Sequence, residues 1–169
     1  MEFYFLRHAI AVDRDNSMFE RDSERPLSKD GIRKMQRIAR AMHSLELSFD
    51  LIYSSPYRRA RETAEIVARE LGLRSSLRFT PSLQTSADPK HLVKHLQEQK
   101  RGAQSILLVG HEPSLSNVIS LLLSGEENLM ITLKKGGLCK LRVERLRSGR
   151  CGSLEWLLTP RHLMKIGQS

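Results

Sequence analysis

Phe3-Tyr4-Phe5-Leu6-Arg7-His8, near the start of the chain, joins an apolar run to a cation and an imidazole. The apolar part, preceded by Glu2, is typical of a short buried strand. A charged pair cannot continue such a strand, because an unpaired buried cation costs free energy. The backbone is therefore expected to surface at Arg7-His8, which indicates a site at the end of the first strand.

Two later strand-to-helix junctions have the same organisation. Asp50-Leu51-Ile52-Tyr53 is a predicted strand that ends at Ser54-Ser55-Pro56, and Ser105 to Val109 is a predicted strand that ends at Gly110-His111-Glu112-Pro113. Strands that alternate with helices are generally parallel, so their carboxyl ends lie along one edge of a sheet. Open sheets of this kind bind ligands in the crevice at that edge.

Apolar residues at helical spacing predict the connecting segments. Arg7 to Pro26 is polar and is expected to be a loop, after which a first helix runs from about Lys29 to Leu45 with Ser28 as its N-cap. The second helix is expected to start with Ser55 as N-cap and Pro56 in its first turn. The remaining predicted elements before the C-terminal third are a strand from Leu77 to Phe79, a helix from about Lys90 to Gln97, and a helix that starts at Pro113 and stops near Gly125.

The C-terminal third changes to a strand pattern. Leu138 to Leu146 and Ser153 to Leu158 predict an antiparallel pair, and Thr159-Pro160 closes the second strand. No repeat, low-complexity tract or linker divides the chain, so residues 1–169 are expected to form a single domain. The predicted fold class is α/β: three α/β/α layers around a central, mostly parallel sheet, with an antiparallel C-terminal strand pair.

Composition narrows the class of protein. Hydrophobic residues make up 40% and charged residues 28% of the chain, and no apolar run approaches the roughly 20 residues that span a bilayer. The N-terminus lacks the basic and long apolar segments of a secretory signal, which favours the cytoplasm. Cys139 and Cys151 are expected to be free thiols, although a hairpin could bring them together.

The formal net charge of +9 would attract nucleic acid, acidic proteins or phosphorylated small molecules. The absence of an aromatic platform beside the cations makes nucleic acid the less favoured partner. A solvated face is favoured over a nucleic-acid patch, because many cations fall on the polar side of the first predicted helix, at Lys29, Arg33, Lys34, Arg37 and Arg40.

Cations also crowd the first turns of the second helix, at Arg58, Arg59 and Arg61. Aligned peptide dipoles already place positive charge at a helix N-terminus, so this clustering is locally unfavourable. A bound anion would remove the conflict. The alternative is that the arginines pair with Glu62 and Glu65 or extend into water.

His91 and His95 are four residues apart, a spacing that would put both on one helical face and could hold a metal ion. No third ligand of matching geometry is evident, and surface histidines are the ordinary explanation. No metal or other cofactor is therefore expected.

At the predicted sheet edge, two histidines and at least two arginines would converge with helix N-termini. Arginine forks bind phosphate oxygens bidentately, and helix amides add further donors. A neutral imidazole can attack phosphorus while a second one donates a proton or stabilises charge. The pattern predicts an anion site with its own nucleophile, which requires no metal.

The three junctions closely resemble the signatures of the histidine phosphatase superfamily. Its N-terminal Arg-His-Gly or Arg-His-Ala is matched by Arg7-His8-Ala9, its Ser-Pro-x-x-Arg-Ala-x-x-Thr by residues 55–63, and its Gly-His-x-Pro by Gly110-His111-Glu112-Pro113. The short chain, Arg25-Pro26-Leu27-Ser28 followed by Gly31, and Trp156 with Pro160 look most like the compact SixA-type phosphohistidine phosphatases.

The resemblance implies a role for each matched residue. His8 is the nucleophile that becomes phosphorylated, Arg7 and Arg59 clamp the phosphoryl group, and His111 completes the pocket. The arginine directly before Ala60 is assigned, rather than Arg58. Water then hydrolyses the phosphohistidine.

No motif identifies the general acid, for which Asp88 and Glu112 are the candidates. A phosphohistidine substrate needs less help from an acid, because imidazole is a far better leaving group than an alkoxide.

The segment between Gly72 and Ser105 is short and leaves little chain to cover the crevice. An open site favours a phosphorylated protein as substrate, such as a histidine-phosphorylated signalling or phosphotransfer protein. A small-molecule phosphomonoesterase or a mutase-like phosphoryl transferase on the same residues remains an alternative. From another class, a basic module that binds nucleic acid or phosphoproteins would show affinity that falls steeply with salt and no turnover.

Overall fold

The computed structural model describes residues 1–13, 19–99 and 102–168. Its strands are β1 (Glu2–Arg7), β2 (Leu51–Ser54), β3 (Leu77–Phe79), β4 (Ser105–Gly110), β5 (Leu138–Val143) and β6 (Gly152–Leu158). Its α-helices are α1 (Lys29–Ser44), α2 (Arg58–Glu70), α3 (Pro89–Gln99), α4 (Ser114–Ser124) and α5 (Pro160–Ile166). Short 3-10 turns cover Asp22–Glu24, Arg74–Ser76 and Pro81–Leu83.

The described strands form one sheet in the order β3-β2-β4-β1-β5-β6. β1, β2, β3 and β4 run parallel, β5 is antiparallel to β1, and β6 is antiparallel to β5. This arrangement confirms the predicted α/β fold with its mostly parallel sheet and antiparallel C-terminal strand pair. It also brings the carboxyl ends of β1, β2 and β4 to one edge.

Alternate side chains of β1 point to opposite faces of the sheet, as the two-residue period of a strand requires. Tyr4 and Leu6 pack with residues of α1, α2 and α5, whereas Phe3 and Phe5 pack with residues of α3 and α4. Helices therefore cover both faces, which explains why the central strands are continuously apolar. Among the helices of the described residues, none combines the length and the apolar character needed to cross a membrane.

The N-terminal boundary of α2 differs from the prediction. The helix begins at Arg58, and its N-cap residue Tyr57 is two residues after the predicted N-cap Ser55. Ser55 is still held by the sheet, because its backbone N–H donates to the Val109 carbonyl at 3.0 Å. That pairing leaves the Ser55 hydroxyl free for side-chain contacts at the sheet edge.

The C-terminal helix α5 was not anticipated, because Thr159-Pro160 was interpreted only as the end of a strand. The same dipeptide is a helix start: the Thr159 hydroxyl accepts from the His162 backbone N–H at 3.4 Å, and Pro160 occupies the first turn. β5 is also shorter than predicted and ends at Val143 rather than Leu146.

The two cysteines are free thiols, as expected. Cys139 is buried on β5 opposite Leu157, and burial raises the pKa of its thiol to about 12. Cys151 directly precedes β6, and its thiol contacts the Arg147 carbonyl at 3.4 Å.

The predicted loop from Arg7 to Pro26 includes residues 14–18, which lie outside the described residues. Its described part is anchored at both ends, by a bridge between Ala11 and Leu27 and by the donation of the Ser28 N–H to the Ile10 carbonyl at 2.9 Å. Gly31 in the first turn of α1 lies against the same carbonyl, so closely that a Cβ would overlap its oxygen. This approach fixes the backbone two residues after His8.

Replacement of Gly31 by alanine is expected to destabilise the protein by about 3 kcal/mol, because the added Cβ would collide with rigid backbone. The direction of this change in stability is informative, since Gly→Ala in an unobstructed helix stabilises a protein by up to about 1 kcal/mol. Urea unfolding followed by circular dichroism measures the effect. Exposed Lys29→Ala in the same turn is the control and should stay within about 0.5 kcal/mol; a Gly31→Ala protein as stable as the parent would contradict the close approach.

Candidate active site

A cavity of about 310 Å³ opens at the edge where the carboxyl ends of β1 and β4 meet. It brings together the four side chains singled out from the sequence, Arg7, His8, Arg59 and His111. Its other lining residues are Ala11, Val12, Asp13, Arg25, Thr85, Glu112 and Lys135. The cavity is therefore rich in cations and imidazoles, which suits an anionic ligand.

His8 directly follows β1, and its backbone N–H donates to the Gly110 carbonyl of β4 at 3.0 Å. In the buried His8 ring, Nδ1 is 2.7 Å from the Ala9 carbonyl oxygen. A carbonyl only accepts hydrogen bonds, so Nδ1 carries the proton and Nε2 presents its lone pair. The backbone thus sets the tautomer that a nucleophilic Nε2 requires.

Burial lowers the pKa of His8 to about 2, and the charges of His111, Arg59 and Arg7 act in the same direction. Burial likewise lowers the pKa of His111 to about 3, with a further contribution from the Arg59 charge. Both imidazoles are therefore neutral at physiological pH. The neutral form is the one that can attack an electrophile.

Arg59 is only 2% exposed, and each of its three guanidinium nitrogens donates a hydrogen bond. Its Nε donates to His8 Nε2 at 3.2 Å, Nη1 donates to the Asp22 carbonyl at 2.7 Å, and Nη2 donates to Asp22 Oδ2 at 2.8 Å. Thr63 of the same helix reinforces this position, because its hydroxyl donates to the Arg59 carbonyl and accepts from the Ala9 N–H. The motif of residues 55–63 thus links α2 to the end of β1 through Arg59 and Thr63.

Asp22 is the residue at this site that sequence reasoning missed. Its carboxylate bridges Arg59 and Arg25, with Oδ1 2.7 Å from Arg25 Nη2. Burial opposes ionisation of Asp22, but the hydrogen bonds and charges of the two arginines outweigh it and lower the carboxyl pKa. Asp22 begins a single 3-10 turn in the segment between β1 and α1, which is too short to leave a periodic pattern, so the sequence offers no signal that could have identified it.

Arg7 is half-buried, and its Nη1 donates to the Leu133 carbonyl at 2.9 Å. Its Nε is buried and finds no hydrogen-bond partner among the described residues. Burial lowers the pKa of Arg7, while the Glu112 charge acts in the opposite direction. Arg7 can therefore offer donors to a ligand in the cavity.

His111 lies beside His8, with ring centroids 5.0 Å apart. Its Nε2 is 2.9 Å from the Ser55 hydroxyl, which itself accepts from the Tyr57 N–H at 3.3 Å. In the tautomer in which the Ser55 hydroxyl donates to His111 Nε2, the His111 proton lies on Nδ1. Nδ1 is buried without a partner among the described residues, so in that tautomer it is a second free donor.

The structure separates the two candidates for the general acid. Glu112 lines the cavity, its Oε1 accepts from the Ser116 N–H at 3.2 Å, and burial raises the pKa of its carboxyl. Asp88 is exposed and caps α3, accepting from the Lys90 N–H at 2.8 Å, and it is absent from the described residues that line the cavity. The geometry favours Glu112.

The remaining cations of α2 behave as the alternative explanation supposed. Arg58 is exposed and pairs with Glu62 at 2.8 Å, and Arg61 lies 3.7 Å from Glu65. Arg59 is thus the arginine of this cluster that reaches the cavity.

His91 and His95 are not arranged as a metal site. His91 is exposed, whereas the His95 ring packs edge-on against Tyr53 with centroids 5.3 Å apart. Within the described ranges, no group of three or more His, Cys, Asp or Glu side chains is placed to hold a metal ion.

Comparison with known proteins places this geometry in a family. Residues 3–85 match the model of the histidine phosphatase superfamily, branch 1. An uncharacterized protein of Picosynechococcus sp. is 32% identical over 97% of this chain and 99% of its own length. The phosphohistidine phosphatase SixA of Escherichia coli is 27% identical over 96% of each chain. A solved structure of the protein histidine phosphatase SixA with tungstate superposes with a TM-score of 0.81, at 27% identity, covering 96% of this chain and 99% of that one.

Between pH 8 and pH 5, the ring ¹⁵N resonances of His8 and His111 are expected to remain those of neutral imidazole, because burial lowers both pKa values. The unfolded chain in urea is the control, where histidines titrate near pH 6.5. Since the unfolded state binds these protons first, the free energy of unfolding should fall as the pH drops below about 6.5. A His8 midpoint at or above pH 6 in the folded protein would contradict this prediction.

Arg59→Lys is expected to weaken the binding of inorganic phosphate by about tenfold or more, because lysine keeps the charge but loses the fork of donors. Isothermal titration calorimetry at fixed salt measures the dissociation constant. The neighbouring Arg58→Ala removes a whole charge from the exposed side of α2 and is the matched control, expected to change the constant by less than about twofold. Equal weakening in the two variants would refute the distinction between the arginines.

Proposed function

The chain belongs to the SixA-like branch of the histidine phosphatase superfamily, and on that premise we propose that it is a metal-independent phosphatase that removes phosphate from phosphohistidine in a protein. The observation that carries the proposal is the neutral His8 ring, whose Nε2 lone pair lies 3.2 Å from Arg59 Nε in the cavity shared with Arg7 and His111. The cavity thus combines a nucleophile, His8 Nε2, with the arginines that would bind the phosphoryl group under attack.

The first step transfers the phosphoryl group to the protein. Arg7 and Arg59 bind the phosphoryl oxygens, and the His8 Nε2 lone pair attacks phosphorus. As the new N–P bond forms, the bond from phosphorus to the leaving group breaks, and the leaving group departs with the electron pair. His111 Nδ1–H donates to an oxygen on which negative charge accumulates, where stabilisation accelerates the reaction most.

Glu112 is the proposed source of the proton for the leaving group. Its raised pKa supports a protonated carboxyl, the form needed before the first step. In the second step the resulting carboxylate takes a proton from water as the water oxygen attacks phosphorus. The N–P bond then breaks, its electron pair returns to His8 Nε2, and inorganic phosphate leaves.

Positive charge from the protein itself fits a metal-independent mechanism. The guanidinium groups of Arg7, Arg25 and Arg59 and the Lys135 ammonium surround the site, and such a set repels a cation while it attracts phosphate. The arginines perform the charge neutralisation that metal ions supply in other phosphoryl-transfer sites.

A protein substrate is favoured by how little of the described segment between α2 and β4 covers the site. Of the described residues between α2 and β4, only Thr85 lines the cavity. A histidine side chain on another protein can therefore approach from solvent. A mutase-like transferase is disfavoured for the same reason, because it must keep water away from the phosphoryl enzyme. Small phosphoesters would use the same residues and remain the alternative substrate class.

His8→Ala is expected to reduce phosphatase activity by at least about a thousandfold, because it removes the atom that forms the covalent intermediate. Phosphate release is measured from a protein phosphorylated on histidine with phosphoramidate and from a panel of small phosphomonoesters. The control is His91→Ala, which alters an exposed histidine outside the cavity and should leave activity unchanged.

The same assay separates the alternatives. Substantial activity of His8→Ala would contradict the mechanism. Faster turnover of the small esters than of the phosphohistidine protein would sink the proposed substrate while leaving a phosphatase. Salt-dependent binding without turnover would indicate a binding module instead.

A further inference from the structure

Residues 133–137 form a loop that is attached to Arg7 at several points. Arg7 N–H donates to the Gly137 carbonyl at 3.2 Å, the Gly136 N–H donates to the Arg7 carbonyl at 3.0 Å, and Arg7 Nη1 donates to the Leu133 carbonyl at 2.9 Å. Gly136 has a φ of +79°, a left-handed conformation that glycine adopts without strain. The backbone on both sides of Lys135 is therefore held against the end of β1.

This loop delivers Lys135 to the cavity. Lys135 is exposed yet lines the cavity together with Arg7, Arg25 and Arg59. Partial burial lowers the pKa of its ammonium, and the charges of Arg7, Arg25 and Arg59 add to that effect while Asp13 opposes it. None of the carboxylates in the described residues lies within ion-pair distance of Lys135. A cation held beside other cations is stabilised by an incoming anion.

The other cations of the cavity have partners or assigned ligands. Arg59 and Arg25 are bridged by the Asp22 carboxylate, and Arg7 and Arg59 are placed to bind the phosphoryl group. Lys135 differs because it is exposed to solvent at the opening of the cavity. It can therefore reach a group of the substrate outside the phosphoryl pocket.

We propose that Lys135 is a specificity-determining residue that binds a second anionic group of the substrate, an acidic side chain lying close to the phosphohistidine on the phosphorylated protein. The proposal rests on the proposed function for the identity of the substrate. The open cavity favours a protein as the source of the second anion, although a carboxylate adjacent to the phosphate of a small ester has the same chemistry.

The experiment compares kcat/KM for paired substrates that differ by the second anion. One pair is the capped peptide Gly-Gly-phosphohistidine-Gly-Gly and its analogue with one aspartate directly after the phosphohistidine. The other pair is phosphoethanolamine and phosphoserine, which adds a carboxylate. The ratio within each pair cancels any general loss of activity in a variant.

For the unaltered protein the acidic peptide is expected to be preferred by about three- to tenfold, the effect of one partly screened charge pair, and the preference should lie in KM. The ratio should fall to about one in Lys135→Ala, drop below one in Lys135→Glu and persist in Lys135→Arg. Lys134→Ala is the matched control, because this exposed neighbour is absent from the described lining residues, and it should retain the preference.

The outcomes test the role of Lys135 and the proposed function separately. A peptide ratio that follows the charge at position 135 supports the inference, and a ratio that is the same in all variants for both pairs overturns it. Charge dependence confined to the phosphoester pair overturns the acidic protein side chain as the source of the anion. If the unaltered protein releases phosphate neither from these peptides nor from a protein phosphorylated on histidine, the proposed function fails, and the phosphoester pair alone then decides whether Lys135 binds a second anion.

Discussion

The hydrogen bond from Arg59 Nε to His8 Nε2 is the interaction on which the arrangement of the site depends. A guanidinium that is only 2% exposed is tolerated when its donors are satisfied, and an unpaired one would be strongly destabilising. Asp22 supplies two further partners through its carbonyl and carboxylate. The buried Arg59 guanidinium therefore connects the start of α2 to His8 at the end of β1 and to Asp22 in the segment that follows.

The electrostatic properties of the cavity favour both neutral imidazoles and an anionic ligand. The same burial and positive charge that hold His8 and His111 neutral also make the cavity attractive to a phosphoryl dianion. The tautomer of His8 is set independently, by a backbone carbonyl. Charge state and orientation of the imidazole are thus fixed before a ligand arrives, which is the condition for electrostatic preorganisation.

Much of the fold could be predicted because strands and helices leave periodic patterns, as β1, α1 and β4 illustrate. The junctions also predicted which side chains converge at the sheet edge, although their catalytic roles stay predictions. What escaped prediction depends on contacts between residues distant in sequence. Ser55 was interpreted as an N-cap although it pairs with the backbone of β4, and the partners of Asp22 and Lys135 are set by loops without a period. Helix α5 escaped prediction for a different reason, because Thr159-Pro160 fits both a strand end and a helix start.

The position of Asp22 has a consequence for what binding means at this site. The carboxylate on Arg59 Nη2 and the imidazole on Arg59 Nε already satisfy part of the guanidinium. Under the proposed function, a phosphoryl group would bind Arg59 by exchanging with these partners. Affinity for phosphate is then the difference between two sets of charge-assisted hydrogen bonds. In that proposed reaction, Asp22 would regain its contact with Arg59 when the product phosphate leaves, which would favour release.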